Sequence, residues 1–109
     1  MIIDCHGHYT TAPKELETWR QRQVAGLKDS SQTPSRAALS ISDDQIRESL
    51  EKAQLKLQRE RGSDVTIFSP RAAGMEHHVG DATTSLAWAQ VCNDLIHRVC
   101  RLYPTRFIG

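Results

Sequence analysis

Three short strand-like segments, separated by stretches of helical length, most constrain how this sequence can fold. Residues 2–8 alternate in side-chain character, residues 65–68 read "VTIF", and residues 106–109 read "RFIG". Short β-branched and aromatic runs of this kind, each followed by a helical pattern, are typical of parallel strands joined by crossover helices. The sequence therefore predicts an α/β fold with a parallel sheet.

Three amphipathic segments between these strands are predicted to be helices. The first starts near Pro13, the second spans residues 43–61, and the third ends before Pro104. Ser42 opens a capping box before the second helix, and Gly62 supplies the left-handed residue that ends it. The apolar residues predicted to face the core are Leu16, Trp19, Val24 and Leu27 in the first helix, Ile46, Leu50, Ala53 and Leu57 in the second, and Leu86, Val91, Leu95, Val99 and Leu102 in the third.

The predicted elements do not make a closed domain by themselves. Residues 28–41 have no clear periodicity and are predicted to be a long loop, of the kind that is often functional or mobile. Two parallel strands and the start of a third cannot have both faces covered, as parallel sheets require. We therefore expect residues 1–109 to be the N-terminal portion of one larger α/β domain.

Charge and composition limit the classes of partner. The 14 basic and 13 acidic residues are interleaved and leave a net charge of +1, which predicts no nucleic-acid surface. No apolar run approaches the roughly 18 residues that cross a bilayer, and no secretion signal is recognisable. Cys5, Cys92 and Cys100 are an odd number without C-x-x-C spacing, which favours reduced thiols. We expect a cytoplasmic protein that binds neither nucleic acid nor membranes.

Two histidines, one residue apart, lie at the end of the first predicted strand. Side-chain alternation predicts that Asp4, His6 and His8 share one face, with a repeat of roughly 7 Å. Two imidazoles so placed can bind one metal ion, with Asp4 more suited to orienting them than to binding the metal. Gly7 leaves room for a loop or substrate to approach. An incidental pair in a turn is the alternative, but barrel enzymes assemble their active sites at this end of their strands.

These motifs give the chain a family resemblance. "MIIDCHGHYTTAP" resembles the opening of the amidohydrolase superfamily, metal-dependent (β/α)8 barrels whose first strand ends in H-x-H. More narrowly, "HGHYTTAP", "RGSDVTIFSPRA", "HHVGD" and "YPTRFIG" resemble the 4-oxalomesaconate hydratases, in the branch that contains the aminocarboxymuconate semialdehyde and γ-resorcylate decarboxylases. The resemblance covers essentially all 109 residues. It implies the N-terminal part of a TIM barrel and one Zn²⁺ bound by His6 and His8, with the family's other ligands on strands that lie later in the barrel.

The resemblance also implies an activity and a substrate class. It implies a hydratase that adds water to the double bond of 4-oxalomesaconate during bacterial breakdown of protocatechuate or gallate. Separately, we expect a homo-oligomer. Alternatives are a zinc-dependent decarboxylase of the same branch and, if the chain really ends at residue 109, an inactive structural fragment. The general acid and base are not assigned.

Three further residues are candidate substrate contacts. Arg71 follows the second predicted strand, and its guanidinium suits a carboxylate of a small polycarboxylate substrate, although a surface ion pair is the alternative. His77 and His78 lie in a glycine-flanked loop on the same rim. They are either substrate contacts or solvent-exposed loop residues.

Overall fold

Three parallel strands form the sheet in the computed structural model, which describes residues 1–109. Strand β1 spans Ile3–His8, β2 spans Val65–Ser69 and β3 spans Phe107–Ile108, and they lie side by side in chain order. Both neighbouring pairs are parallel, so each connection crosses over through helices. The predicted parallel α/β fold is confirmed.

Four α-helices supply these crossovers. They are α1 (Lys14–Gly26), α2 (Asp43–Glu51), α3 (Gln54–Arg61) and α4 (Ala82–Leu102). The predicted capping box is present, since the Ser42 hydroxyl accepts from the Gln45 amide while the Gln45 side chain accepts from the Ser42 amide. Gly62 ends α3 at φ +68°, as predicted. No helix has the combination of length and apolar character needed to cross a membrane.

The prediction of one continuous helix over residues 43–61 is wrong. Ala53 has φ −130° and ψ −90°, outside the helical range, and separates α2 from α3. Leu50 and Leu55, which are both buried, would point about 140° apart on one continuous helix. The break lets both reach the core and turns Leu57 outward, where it is 42% exposed.

The helices bury one face of the sheet. The register pairs Thr66 with Phe107 in neighbouring strands, and Phe68 lies two residues further along β2 on the same face. Phe68 and Phe107 are almost completely buried, with ring centroids 4.8 Å apart. The main core cluster consists of Tyr9, Ile41, Ile46, Leu50, Leu55, Phe68, Leu95, Ile96, Val99 and Phe107.

The opposite face of the sheet is uncovered and apolar. The register pairs Ile3 with Val65 and Ile67 with Ile108, so these side chains project together on the side away from the core. Ile3, Ile67 and Ile108 are 52%, 45% and 55% exposed. We call this surface, made of Ile3, Val65, Ile67 and Ile108, the open face.

The segment 28–41 is a loop, as predicted, and it packs against the helices. It contains two 3₁₀ turns, Ser30–Gln32 and Arg36–Ala38. The Trp19 indole donates to the Ser35 carbonyl, and Arg36 pairs with Asp94 of α4. The segment is therefore anchored at several points along its length.

The predicted core face of α1 is wrong in its second half. Val24 and Leu27 are 38% and 47% exposed, whereas Arg20 and Gln23 are buried beside Trp19. The side of α1 that carries Trp19, Arg20 and Gln23 faces inward, toward α4. There the rings of Trp19 and Trp88 stack with their centroids 6.1 Å apart. In α4, Leu86 is exposed, contrary to the prediction. The predicted core residues Val91, Leu95 and Val99 are buried.

Candidate metal and carboxylate site

The two histidines at the end of β1 converge. The Nε2 atoms of His6 and His8 lie 3.1 Å apart, and the ring centroids are 4.7 Å apart at 86°. The Nδ1 atom of His8 lies 2.9 Å from the Pro70 carbonyl oxygen, which can only accept a hydrogen bond. His8 therefore carries its proton on Nδ1 and directs the lone pair of Nε2 toward His6.

This hydrogen-bond arrangement suits a metal ligand. A metal-binding imidazole usually donates its other ring N–H to a carbonyl or carboxylate, which fixes the tautomer and the ring orientation. The Pro70 carbonyl and the Ser69 hydroxyl, both 2.9 Å from His8 Nδ1, surround that nitrogen. Imidazole nitrogens are common zinc ligands, so the donor pair fits Zn²⁺.

The described chain supplies only part of a metal centre. Residues 1–109 contain no group of three or more His, Cys, Asp or Glu side chains placed to hold one ion. A catalytic zinc usually has three protein ligands and an open position. His6 and His8 can supply two of them.

The prediction that Asp4 shares a face with His6 and His8 is wrong. The register with β2 shifts between Asp4 and Gly7, so β1 contains one residue more than β2 over this stretch. Asp4 pairs with Thr66 and therefore faces the helices, while His8 pairs with Ser69 and lies on the side of the open face. The Asp4 carboxylate accepts from the backbone amide of His6 at 3.1 Å and so supports the bulge.

Gly7 also has a different role from the predicted one. A Cβ atom at this position would lie 2.2 Å from Cγ2 of Thr66 and 3.2 Å from Cδ2 of Phe68. The group that approaches Gly7 is thus the neighbouring strand β2, rather than a substrate or a mobile loop. The glycine lets the two strands meet directly below the histidine pair.

Arg71 lines a groove that also contains Tyr9, the residue after His8, but neither His6 nor His8. The groove has a volume of about 350 Å³ and separates the segment after β1 from the segment after β2. Arg71 follows Pro70, whose carbonyl accepts from His8, and its exposed side chain makes no ion pair or hydrogen bond. The groove is lined by residues that include Tyr9, Thr10, Arg20, Arg71, Glu76 and Trp88.

His77 and His78 are exposed and lie apart from this groove. Their rings are 6.0 Å apart, and neither side chain makes a hydrogen bond within the chain. They belong to the segment between β2 and α4, which also carries Arg71. The structure does not bring them into contact with His6 or His8.

Tyr9, which follows His8, serves to anchor the site to the core. Its hydroxyl lies 2.6 Å from Ser49 Oγ, and the Ser49 hydroxyl donates to the Ile46 carbonyl, so Tyr9 is the donor. Burial raises the pKa of Tyr9. The phenol stays protonated at neutral pH and fixes the end of β1.

Arg20 is the residue of this region that sequence reasoning missed. It is 4% exposed and lines the groove together with Arg71. A charged residue on a helix is expected to face water, so the apolar pattern gave no reason to place it inside. The sequence signal that could have indicated its burial is that Arg20 lies four residues after Leu16, on the same face of the helix.

Comparison with known proteins identifies the family. The amidohydrolase family profile matches residues 3–109. A 2-keto-4-carboxy-3-hexenedioate hydratase from Sphingobium sp. SYK-6 is 53% identical over all 109 residues, which cover 31% of its length. The crystal structure of 4-oxalomesaconate hydratase from Rhodopseudomonas palustris superimposes with a TM-score of 0.94 at 55% identity, covering this whole chain and 32% of that one. The chain spans about a third of these relatives, and it belongs to the amidohydrolase family.

Proposed function

We propose that this chain is part of a hydratase that adds water to the double bond of 4-oxalomesaconate or a closely similar tricarboxylate. The observation that carries the proposal is identity above 50%, over all 109 residues, with two proteins named as hydratases of such compounds. The name of the Sphingobium relative's substrate itself specifies one double bond and three carboxyl groups. We place the reaction in bacterial aromatic degradation.

We also propose that residues 1–109 are the N-terminal portion of a single (β/α)8 barrel domain. The open face supports this proposal, because parallel sheets are normally buried on both sides. Ile67 and Ile108 would then be interior residues of the barrel, and His6 and His8 would lie at the carboxyl end of its first strand. That end is where barrel enzymes hold their active sites.

His6 and His8 would hold one Zn²⁺ ion in this protein. Zinc bound there would act as a Lewis acid toward an oxygen of the substrate or of water. The chain's own contribution is orientation: the Pro70 carbonyl and Ser69 hydroxyl fix the His8 ring, and the Asp4 carboxylate fixes the backbone of His6. These contacts support an arrangement in which the two Nε2 atoms lie 3.1 Å apart, close enough for one ion to bind both.

Arg71 would bind a carboxylate of the substrate. Its guanidinium is exposed, makes no ion pair with this chain, and can bind a carboxylate through two parallel hydrogen bonds. It is one residue away from the Pro70 carbonyl that orients His8. The short segment Pro70–Arg71 would therefore orient the metal ligand His8 and carry the cation that binds the substrate. His77 and His78, further along the same loop, remain proposed substrate contacts.

The proposal extends to partners and location. The ligand class is a small polycarboxylate, and we expect a homo-oligomer that binds neither nucleic acid nor membrane. Cys5, Cys92 and Cys100 are all free thiols, which supports a reducing, cytoplasmic setting.

The test uses the full chain encoded by the gene. Loss of the absorbance of 4-oxalomesaconate is followed before chelation, after chelation and after return of Zn²⁺, together with zinc content. His6→Ala and His8→Ala are expected to lower both zinc content and turnover, whereas His97→Ala, an exposed histidine on α4, changes neither. A zinc-loaded protein that leaves this substrate untouched, or that releases CO₂ from a related acid instead, contradicts the hydratase proposal.

A further inference from the structure

Arg20 is a buried cation that reaches across the groove from α1. Its guanidinium lies 5.0 Å from the centroid of the Trp88 ring, and Nη1 donates to Gln23 Oε1 at 2.7 Å. Its Nη2 atom lies 3.4 Å from the Glu76 carbonyl and 3.8 Å from the Glu76 carboxylate. Burying a guanidinium is costly unless its partners are fixed, so these contacts define one arrangement of the loop.

The residue that Arg20 contacts has an unusual backbone conformation. Glu76 has φ +41°, and it is the one residue other than glycine with positive φ in the described chain. A glutamate is disfavoured in this region and persists there only where its surroundings hold it. Arg20 approaches both the carbonyl and the carboxylate of this residue, and it is thus placed to hold the turn.

Gln23 extends the same attachment to the start of α4. Its Nε2 atom donates to the Thr84 carbonyl at 2.9 Å, while its Oε1 atom accepts from Arg20. The Trp88 indole, under the Arg20 guanidinium, donates to the Gly74 carbonyl at 2.8 Å. We call Arg20, Gln23 and Trp88 the clamp, because together they hold residues 74 and 76 of the segment between β2 and α4, and residue 84 in the first turn of α4.

We propose that Arg20 is a positioning residue for Arg71, acting through the clamp on the segment that begins with Arg71. The inference rests on the proposed function, in which Arg71 binds a substrate carboxylate. Because the Arg71 side chain has no partner of its own, its place at the groove depends on the backbone of residues 71–76. If the backbone of Arg71 is already fixed, less conformational entropy is lost when its side chain binds a carboxylate.

Direct binding of the carboxylate by Arg20 fits the contacts less well. Its Nη1 and Nη2 atoms already donate to Gln23 and Glu76, and its guanidinium lies over the Trp88 ring. The Glu76 carboxylate would also repel an incoming anion. Only Nε is left without a partner, and it is buried. Arg20 therefore acts on the substrate through the loop.

The first readout is hydrogen exchange of the loop amides, measured on the full chain. The reporters are the amides of Gly74, Met75 and Val79, each of which donates to a backbone carbonyl within the loop. Arg20→Lys keeps the charge and loses the forked geometry, and is expected to raise exchange at these amides about tenfold. Arg22→Lys, an exposed position on the same helix, is the matched control and is expected to change nothing.

The second readout is steady-state kinetics with 4-oxalomesaconate. Arg20→Lys is expected to raise KM about tenfold while kcat changes less than about threefold, since the clamp affects binding of a carboxylate group remote from the metal. Glu76→Gln loosens the clamp from the loop side at a largely exposed residue, and is expected to give a smaller change of the same kind. This variant also keeps the test valid if Arg20→Lys fails to fold.

The outcomes separate the inference from the proposed function. Unchanged loop exchange in both variants overturns the clamp, and a raised KM with unchanged exchange overturns it in favour of direct binding by Arg20. Faster loop exchange with unchanged KM shows a purely structural role and also overturns the inference. If the wild-type protein does not turn over the substrate at all, the proposed function fails, while the exchange measurement still decides whether the clamp exists.

Discussion

Replacing Gly7 with alanine tests whether the fold depends on close contact between β1 and β2 next to the histidine pair. The added Cβ would lie 2.2 Å from Cγ2 of Thr66, 3.1 Å from the Ile67 carbonyl oxygen and 3.2 Å from Cδ2 of Phe68. The first distance is far below van der Waals contact, and Thr66 and Phe68 are both buried, so neither can move into open space. Overpacking of this kind costs roughly 1 to 3 kcal/mol of unfolding free energy.

The structure identifies which atom causes most of this cost. Thr66→Ser removes Cγ2 but keeps the hydroxyl that accepts from Gln58 Nε2 at 2.8 Å. Alone it is expected to cost about 0.5 to 1.5 kcal/mol, comparable to the loss of one buried methyl group. Combined with Gly7→Ala it relieves the 2.2 Å contact, so the double variant is expected to be more stable than the sum of the single losses by at least about 1 kcal/mol.

The assay is urea unfolding followed by circular dichroism, with Gly74→Ala as the matched control. A Cβ at Gly74 meets no atom within 4 Å, so this variant is expected to stay within about 0.5 kcal/mol of the wild type. Both variants lose a glycine, which has a similar effect on the unfolded chain, so their difference isolates the contact with β2. Equal stability of the two variants, or strictly additive effects of Gly7→Ala and Thr66→Ser, would refute the reasoning.

Two further predictions concern thiols and pH. Burial raises the pKa of Cys92 to about 12. At pH 8 a thiol reagent should therefore modify exposed Cys5 readily and leave Cys92 unmodified until urea unfolds the chain. Rapid labelling of Cys92 in the folded state, detected by mass spectrometry, would contradict this. Hydrogen bonds from Thr84, first from its amide and then from its hydroxyl, lower the pKa of Asp81, which caps α4. This contribution to stability is present above the unfolded pKa of about 3.9 and is lost as the pH falls through the lower folded value, and Asp81→Ala should therefore flatten the acid limb of the stability profile.

The strands were predictable because local pattern and tertiary environment agree. The "VTIF" segment is β-branched and aromatic, and it forms β2 with Phe68 in the core, as that composition suggests. The capping box at Ser42 involves only neighbouring residues, so the sequence contains all of it. The same holds for Gly62, where a single residue adopts the left-handed conformation.

The helix faces were less predictable because packing decided them. No local sequence signal predicts the helix break at Ala53. The helix breaks there because Leu50 and Leu55 both pack into the core. Arg20 and Gln23 are polar and do not belong to the predicted core face, yet they are buried because Glu76 and Thr84 provide partners more than 50 residues away in the sequence. A contact of that sequence separation has no signature in a helical pattern.

The histidine pair was predicted from strand alternation. Its surroundings are determined by a bulge between Asp4 and Gly7 that no sequence pattern indicates. The additional residue in β1 turns Asp4 toward the helices while His6 and His8 stay together on the other side. Asp4 is also engaged with the His6 amide, so its carboxylate supports the backbone between the two strands. A substitution at Asp4 is therefore expected to act on the His6–His8 pair through the position of the His6 main chain, rather than by removing a group that points toward the pair.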